Sequence, residues 1–258
     1  MVNITENSRI DSYSIDGVQF SLFDPDQSVS KETTDGLEYE GSVTTRLSQL
    51  LEENDRSFLD IGAHYGYYTI YVGKLNSTTR IYSFEPGAKH LAVLHKNIEL
   101  NGINSRVFDY ALSDVTQEIP FHNRTMKVKE GDDIEVVKAI TFDELNAKEN
   151  INPEIVKIDV HGAEGKVLYG MRDALKNSIK YLFIEIHASH LLVDYSHQEI
   201  VQILLESGFQ LFEMDKFRDS NYSSLIPLTG ESYECLINPD KWNQDQINRE
   251  RMLYAVKE

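Results

Sequence analysis

Two groups of residues have the types and spacing to do chemistry. The first is Asp60-Ile61-Gly62-Ala63-His64-Tyr65-Gly66, at the end of an apolar run that begins at Ser57; Glu85-Pro86 ends the next such run, Arg80 to Phe84. Gly62, Ala63 and Gly66 are small enough for a backbone turn to approach a ligand closely. Their spacing is G-x-x-x-G, not the G-x-G-x-x-G fingerprint of dinucleotide sites. A carboxylate at Asp60 repels a pyrophosphate and attracts a ligand carrying an ammonium and a sulfonium. Glu85 has the type and place to accept hydrogen bonds from both hydroxyls of a ribose. A glycine turn alone is more often just a tight turn, and an acid like Glu85 alone suits NAD equally well. With Asp60 added, the set selects a cationic nucleoside. S-adenosylmethionine fits, having both positive groups, a ribose and no phosphate.

The second group is Asp159, His161, Glu164, Glu185 and His187, at or near the ends of two later apolar runs. Methyl transfer from sulfonium to oxygen is an in-line displacement: the acceptor must be aligned and, if it is an alcohol, relieved of its proton. Histidine is the natural base near neutral pH, so His187, His161 and Asp159 are the expected catalytic residues, in that order. Each acid or base also has a plainer reading. Glu164 could simply charge the first turn of its helix favourably. His161 could be an ordinary loop residue, and Glu185 and His187 the polar end of one strand face. A divalent ion on Asp159, Glu185 and a histidine is compatible by ligand type, but nothing in the spacing demands one, and no metal is expected.

The elements that must position these groups alternate. Strands are predicted at 57–61, 80–84, 106–110, 155–160, 181–186, 209–214 and 234–237, with helices at 67–75, 88–100, 163–175 and 196–206. That order means a doubly wound parallel sheet with helices on both faces, and an antiparallel final pair. Residues 116–140 interrupt it as a β excursion around an acidic tip. Before it, Asp16-Gly17 marks a hairpin turn and 36–53 reads as a helix. Residues 1–55 are therefore expected as a hairpin and helix packed on a main domain of 56–258.

Several segments resemble the FkbM-type family of class I S-adenosylmethionine-dependent methyltransferases: Phe58 to Thr69, Phe84-Glu85-Pro86, Asn97 to Asn101, Ala111 to Asp114, Val156 to Glu164 and Ile184 to His187. The resemblance spans roughly residues 57 to 215, in the family's order and spacing. It implies a Rossmann-like sheet of seven strands with the last antiparallel, and methyl transfer to oxygen, often on a sugar or natural-product hydroxyl. It assigns Asp60, Gly62 and Gly66, with the Ala63, His64 and Tyr65 lining, to the methionine part of the cofactor. It gives Glu85 and Pro86 the ribose, Ala111 a place near the adenine, and Asp159 a place at the methyl-donor end. Two positions depart from the family pattern: His64-Tyr65 stands where Asn-Ile is usual, and His161 where Glu is usual.

Composition narrows the acceptor. A net charge of −17 argues against nucleic acid, whose phosphates demand a basic surface, and fits solubility, including in a salt-rich cytoplasm. One cysteine, Cys235, fits a reducing compartment. No apolar run approaches the ~18 residues of a membrane span, and the start of the chain shows no secretory signal, so a cytoplasmic location is expected. The expected activity is O-methylation of a sugar, glycan or natural-product hydroxyl by a cytoplasmic enzyme. The alternatives are methyl esterification of a carboxylate and a non-catalytic cofactor-binding subunit. A nicotinamide oxidoreductase is disfavoured by Asp60 and the missing fingerprint. The acceptor pocket is expected to draw on the N-terminal hairpin, 116–135 and 215–232, the variable loops of such a fold.

Overall fold

The computed structural model describes residues 10–30, 40–51, 56–122, 124–214, 224–238 and 251–257. These divide into two units, one running to Asp109 and the other beginning at Tyr110.

In the first unit, β1 (Ile10–Ile15) and β2 (Val18–Phe23) form an antiparallel hairpin. Asp16 and Gly17 both take positive φ, 48° and 81°, as a tight hairpin turn requires. Tyr13, Ile15, Phe20 and Leu22 are buried, following the alternation of a half-covered strand. Helix α1 (Gly41–Leu51) buries Val43, Leu47 and Leu51 along one stripe. Then come β3 (Ser57–Ile61), α2 (Tyr67–Leu75), β4 (Arg80–Phe84), α3 (Ala88–Asn101) and β5 (Ser105–Phe108), with the strands parallel in the order β3-β4-β5. Strand β3 is buried at every position, as a strand covered on both faces must be.

Helix α3 is fastened to the hairpin by two asparagines one turn apart. Asn97 accepts from Phe23 N–H at 2.7 Å and donates to Phe23 C=O at 3.2 Å. Asn101 does the same with Ser21, at 3.0 and 2.6 Å. Positions i and i+4 of a helix share a face, and positions i and i+2 of a strand share an edge direction. The two amides therefore act as a substitute strand and satisfy backbone groups that would otherwise be buried without partners.

The second unit opens with β6 (Ala111–Leu112), β7 (Gln117–Phe121) and β8 (Glu135–Ile140), a separate sheet in the order β6-β8-β7. This is the expected β excursion. It is followed by α4 (Phe142–Glu149), β9 (Ile155–Ile158), α5 (Glu164–Gly170), α6 (Arg172–Asn177), β10 (Tyr181–Ile186), α7 (His197–Glu206), β11 (Gln210–Met214), β12 (Leu225–Pro227), α8 (Gly230–Ile237) and β13 (Arg251–Val256). Strand order is β9-β10-β13-β11-β12. Strands β9 and β10 are parallel, and β13 runs antiparallel to β10 and β11.

The architecture is the expected Rossmann-like α/β fold, with an antiparallel last strand and the short β12 as an addition. Four sequence expectations need correction. Residues 234–237 lie in helix α8, where Leu236 is buried while Glu231 and Glu234 are exposed; the apparent strand was one turn of a helical pattern. The true last strand is Arg251–Val256, whose first five residues are buried. The helix expected over 163–175 is broken at Gly170-Met171, where a Cβ on Gly170 would lie 1.8 Å from the Ser113 carbonyl oxygen. Helix α4 was not foreseen, although Thr141 caps it by accepting from Glu144 N–H, a recognisable start signal. Residues 36–39, 52–53 and 215–223 of the sequence reading lie outside the described residues. No described helix is long and apolar enough to cross a membrane.

Candidate functional site

In the first unit, the chain leaves β3 at Asp60 and turns through residues 62–66 into α2. Gly62, His64 and Gly66 take positive φ, at 80°, 50° and 87°. The Gly62 and Ala63 N–H groups both donate to Phe84 C=O, at 3.0 and 2.9 Å, which ties the turn to the end of β4. Asp60 is buried, and its Oδ2 accepts from Thr69 N–H at 3.0 Å and Thr69 Oγ1 at 2.7 Å. One face of that carboxylate therefore holds the first turn of α2 in place. Glu85, also buried, bridges the turn and the start of α3: Oε2 accepts from His64 N–H at 2.9 Å and Oε1 from Gly87 N–H at 2.8 Å. His64 stacks on Tyr65 with ring centroids 3.9 Å apart. His90 closes the group from α3, with Nδ1 at 3.6 Å from Glu85 Oε1.

Asn97 links three elements. Its amide donates to Tyr65 C=O at 2.8 Å as well as pairing with Phe23, so it joins hairpin, turn and helix. Asp60, the turn and Glu85 thus lie together. Their chemistry fits S-adenosylmethionine: a backbone turn freed of bulk and two buried carboxylates at adjacent strand ends oppose a phosphate and accept ammonium and hydroxyl groups.

In the second unit, Asp159 follows β9, and the chain turns through His161 and Gly162, both at positive φ (49° and 103°), into α5. Gly162 is obligatory there, because a Cβ would lie 2.1 Å from the Leu191 carbonyl oxygen. This turn brings four side chains together. His187, just past β10, is 1% exposed; its Nδ1 lies 2.7 Å from Glu164 Oε1, which also accepts from Gly162 N–H at 2.9 Å. An imidazole that donates from Nδ1 to a carboxylate presents Nε2 as an acceptor in its neutral form. That Nε2 lies 3.9 Å from Asp159 Oδ1, and His161 Nδ1 lies 3.5 Å from the same oxygen. The two imidazole rings are 4.7 Å apart. His197, the first residue of α7, reaches His187 C=O through Nε2 at 2.9 Å and props the segment from behind.

Lys157 was not anticipated from the sequence. It is 1% exposed inside β9, with Nζ at 3.8 Å from Glu185 Oε2 and 4.0 Å from Asp159 Oδ2. Burial pushes the Asp159 carboxyl up, but the Lys157 ammonium, then His161 and His187, pull it down further, well below the usual carboxylate range. Burial pushes His161 down, and this outweighs the upward pull of Asp159; its imidazole titrates below the ordinary value. The cluster therefore sets an anionic Asp159 carboxylate opposite a His161 imidazole that favours its neutral form. Asp159, His161 and His187 are brought together as expected, and Glu164 enters as the residue that orients His187. Ala111, in β6, is buried in an apolar cluster with Ile119, Phe121, Val137 and Ala139.

Residues 60–211 match the model of the methyltransferase FkbM domain. The chain belongs to the FkbM methyltransferase family. Hexuronic acid methyltransferase AglP of Haloferax volcanii is 30% identical over 159 residues, 59% of this chain and 64% of that protein. The FkbM chain thus spans a little under two thirds of that relative's length. Among solved structures, methyltransferase FkbM of Methylobacillus flagellatus KT is similar at 17% identity and a TM-score of 0.47, over 78% of this chain and 43% of that one. A SAM-dependent methyltransferase of Agrobacterium tumefaciens is similar at 11% identity and a TM-score of 0.49, over 96% and 70%.

Proposed function

We propose that this FkbM-family protein is an S-adenosylmethionine-dependent O-methyltransferase acting on a hydroxyl of a sugar, glycan or natural-product acceptor. The observation that carries the reading is the buried Glu164–His187 pair with Asp159 and His161 facing it. A neutral alcohol is a poor nucleophile, and this cluster is suited to ionising one.

The bound cofactor supplies a methyl group on a positively charged sulfur. The chain's residues bind, orient and activate around it. Asp60 and the turn from Gly62 through Ala63, His64 and Tyr65 to Gly66 receive the methionine portion. Glu85, beside Pro86, receives the ribose hydroxyls, Ala111 sits by the adenine, and Asp159 serves the methyl-donor end. His187, His161 and Asp159 activate the acceptor, with His187 foremost because Glu164 fixes its ring and tautomer. A net charge of −17 keeps nucleic acid out of the proposed acceptors, and the cytoplasm is the proposed compartment.

The hexuronic acid named for the relative in Haloferax volcanii supports a sugar-acid acceptor and raises a second reading, methyl esterification of its carboxylate. A carboxylate is already a nucleophile and would leave the histidine cluster without a task. The two readings separate by product. The protein is incubated with methyl-labelled S-adenosylmethionine and uronic-acid glycosides, and the labelled product is treated with mild alkali. An ether keeps its label, as expected here; an ester releases labelled methanol and would replace the hydroxyl reading. No transfer to any oxygen acceptor, with cofactor still bound, would instead support a non-catalytic subunit.

A further inference from the structure

We infer that Asp159, His161 and His187 hold a divalent transition-metal ion, through which the cluster ionises the acceptor. The ion's catalytic role rests on the O-methylation reading; the binding site does not.

The geometry comes first. One carboxylate oxygen and two imidazole nitrogens lie within 4.8 Å of one another. Asp159 Oδ1 is 3.5 Å from His161 Nδ1 and 3.9 Å from His187 Nε2. These are too long for hydrogen bonds, and Oδ1 is buried with no hydrogen-bond partner among the described residues. Donor atoms around a tetrahedral ion at about 2.0–2.1 Å stand about 3.3–3.4 Å apart. His161 is already near that spacing, and His187 reaches it by closing about half an ångström.

The second observation is the support behind the ligands. A metal-binding histidine characteristically donates its other ring N–H to a carboxylate, which fixes the tautomer and raises the basicity of the ligating nitrogen. His187 does this from Nδ1 to Oε1 of the fully buried Glu164, at 2.7 Å. His161 is aimed by a backbone that non-glycine residues rarely adopt, φ 49°, and such strain concentrates at functional sites.

Charge is the third. Lys157 is the one ammonium paired with Asp159 and Glu185, and Glu164 adds a further buried acid beside His187. A divalent cation offsets part of that acidic excess, which burial otherwise makes costly. Two imidazole nitrogens and one carboxylate oxygen favour zinc, cobalt or iron over the oxygen-seeking magnesium, calcium and manganese.

With the acceptor hydroxyl in an open coordination position, the ion lowers its pKa and the proton leaves to water. The alkoxide oxygen forms its bond to the methyl carbon as the carbon–sulfur bond breaks. The bonding pair returns to sulfur, leaving a methyl ether and a neutral thioether.

The test uses the untagged full chain, stripped by chelation and desalted. Cobalt(II) is titrated with visible absorption and calorimetry as readouts. One ion per chain with d–d bands is expected, with binding lost in Asp159→Asn. Glu164→Gln, which loosens the hold on a ligand, should weaken it about 10–100-fold, and His161→Gln, which removes a ligand, at least as much. His161 is a third exposed, so its variant should keep the fold, checked by circular dichroism. Absence of cobalt and zinc binding to the stripped chain, or equal binding by the folded His161→Gln and Asp159→Asn variants, overturns the site. Stripped enzyme that methylates hydroxyl acceptors at full rate overturns the ion's role and leaves the O-methyltransferase reading standing. One ion bound on these residues with no acceptor methylated upholds the site and removes that reading.

Discussion

The molecule contains two turns of nearly the same make: an aspartate at a buried strand end, a left-handed histidine, a left-handed glycine and a helix. In Asp60-Ile61-Gly62-Ala63-His64, the polar groups are largely engaged in local structure. Asp60 binds Thr69, Glu85 binds two backbone N–H groups, and Asn97 clamps Tyr65 from outside. In Asp159-Val160-His161-Gly162, the titratable groups face one another across gaps too wide for hydrogen bonds. A turn whose carboxylates are already hydrogen-bonded is preorganised to hold a ligand of fixed shape. A turn whose donors converge without meeting is arranged to share a proton or an ion. On the proposed function, the difference between binding and reacting lies in how far each aspartate's partners stand from it.

The largest expected effect breaks this comparison at the second turn. His187→Gln should lower methyl transfer about 10²–10⁴-fold, the usual range for losing a general acid–base group, while calorimetry still finds S-adenosylmethionine bound within about threefold of the parent affinity. If cofactor affinity collapses as well, the division of labour between the turns is wrong. Glu164→Gln, which keeps the shape but weakens the hold on Nδ1, should cost about 10–100-fold.

The next effect tests the first turn. Asn97→Ala removes the amide that pairs with Phe23 and holds Tyr65, leaving buried backbone groups unsatisfied. Unfolding in urea should show a loss of about 2–3 kcal/mol. Cofactor Kd should rise about tenfold, with kcat at saturating cofactor nearly unchanged. A selective loss of kcat would mean the first turn takes part in the reaction step.

Much of this was legible because it is local. The alternation of apolar runs and helical stripes marked the strands, and small residues after Asp60 marked the first turn. Glu164 could be read only as a charge near a helix start, since its contact with His187 spans 23 positions and exists only once β9 and β10 lie side by side. Lys157 read as one polar residue in Ile155-Val156-Lys157-Ile158. A lysine inside a run that apolar needs to be buried throughout was the available signal, because such a residue survives only with a carboxylate partner. Asn97 and Asn101, one helical turn apart, carried a similar unused signal. The helix at 230–237 misled because four residues of alternation fit a strand and a helical turn equally well, whereas Met252 to Val256 is a continuous apolar run of strand length.

The smallest effect concerns pH and sharpens the account of the second turn. His161 lies among Asp159, His187, Glu164 and Arg124, and burial outweighs the pull of the acids, so its folded pKa is lowered. The folded protein therefore binds a proton at His161 less readily than the unfolded chain, whose imidazole titrates near 6.5. Between the folded value and 6.5 the unfolded state holds more protons, and stability falls as pH drops through that window. Asp159, lowered from 3.8, contributes stability that is present above 3.8 and lost only on further acidification, so it does not cancel this slope. Denaturant melts between pH 7.5 and 5.5 should show the parent losing more stability than His161→Gln, by about 1 kcal/mol or less. An acid limb should appear in kcat/KM at the lower end of that window, at the folded value, because a protonated His161 can neither ligate nor accept. Equal pH slopes for parent and variant would show that His161 is solvated, and would weaken the contrast between the two turns at its most exposed member.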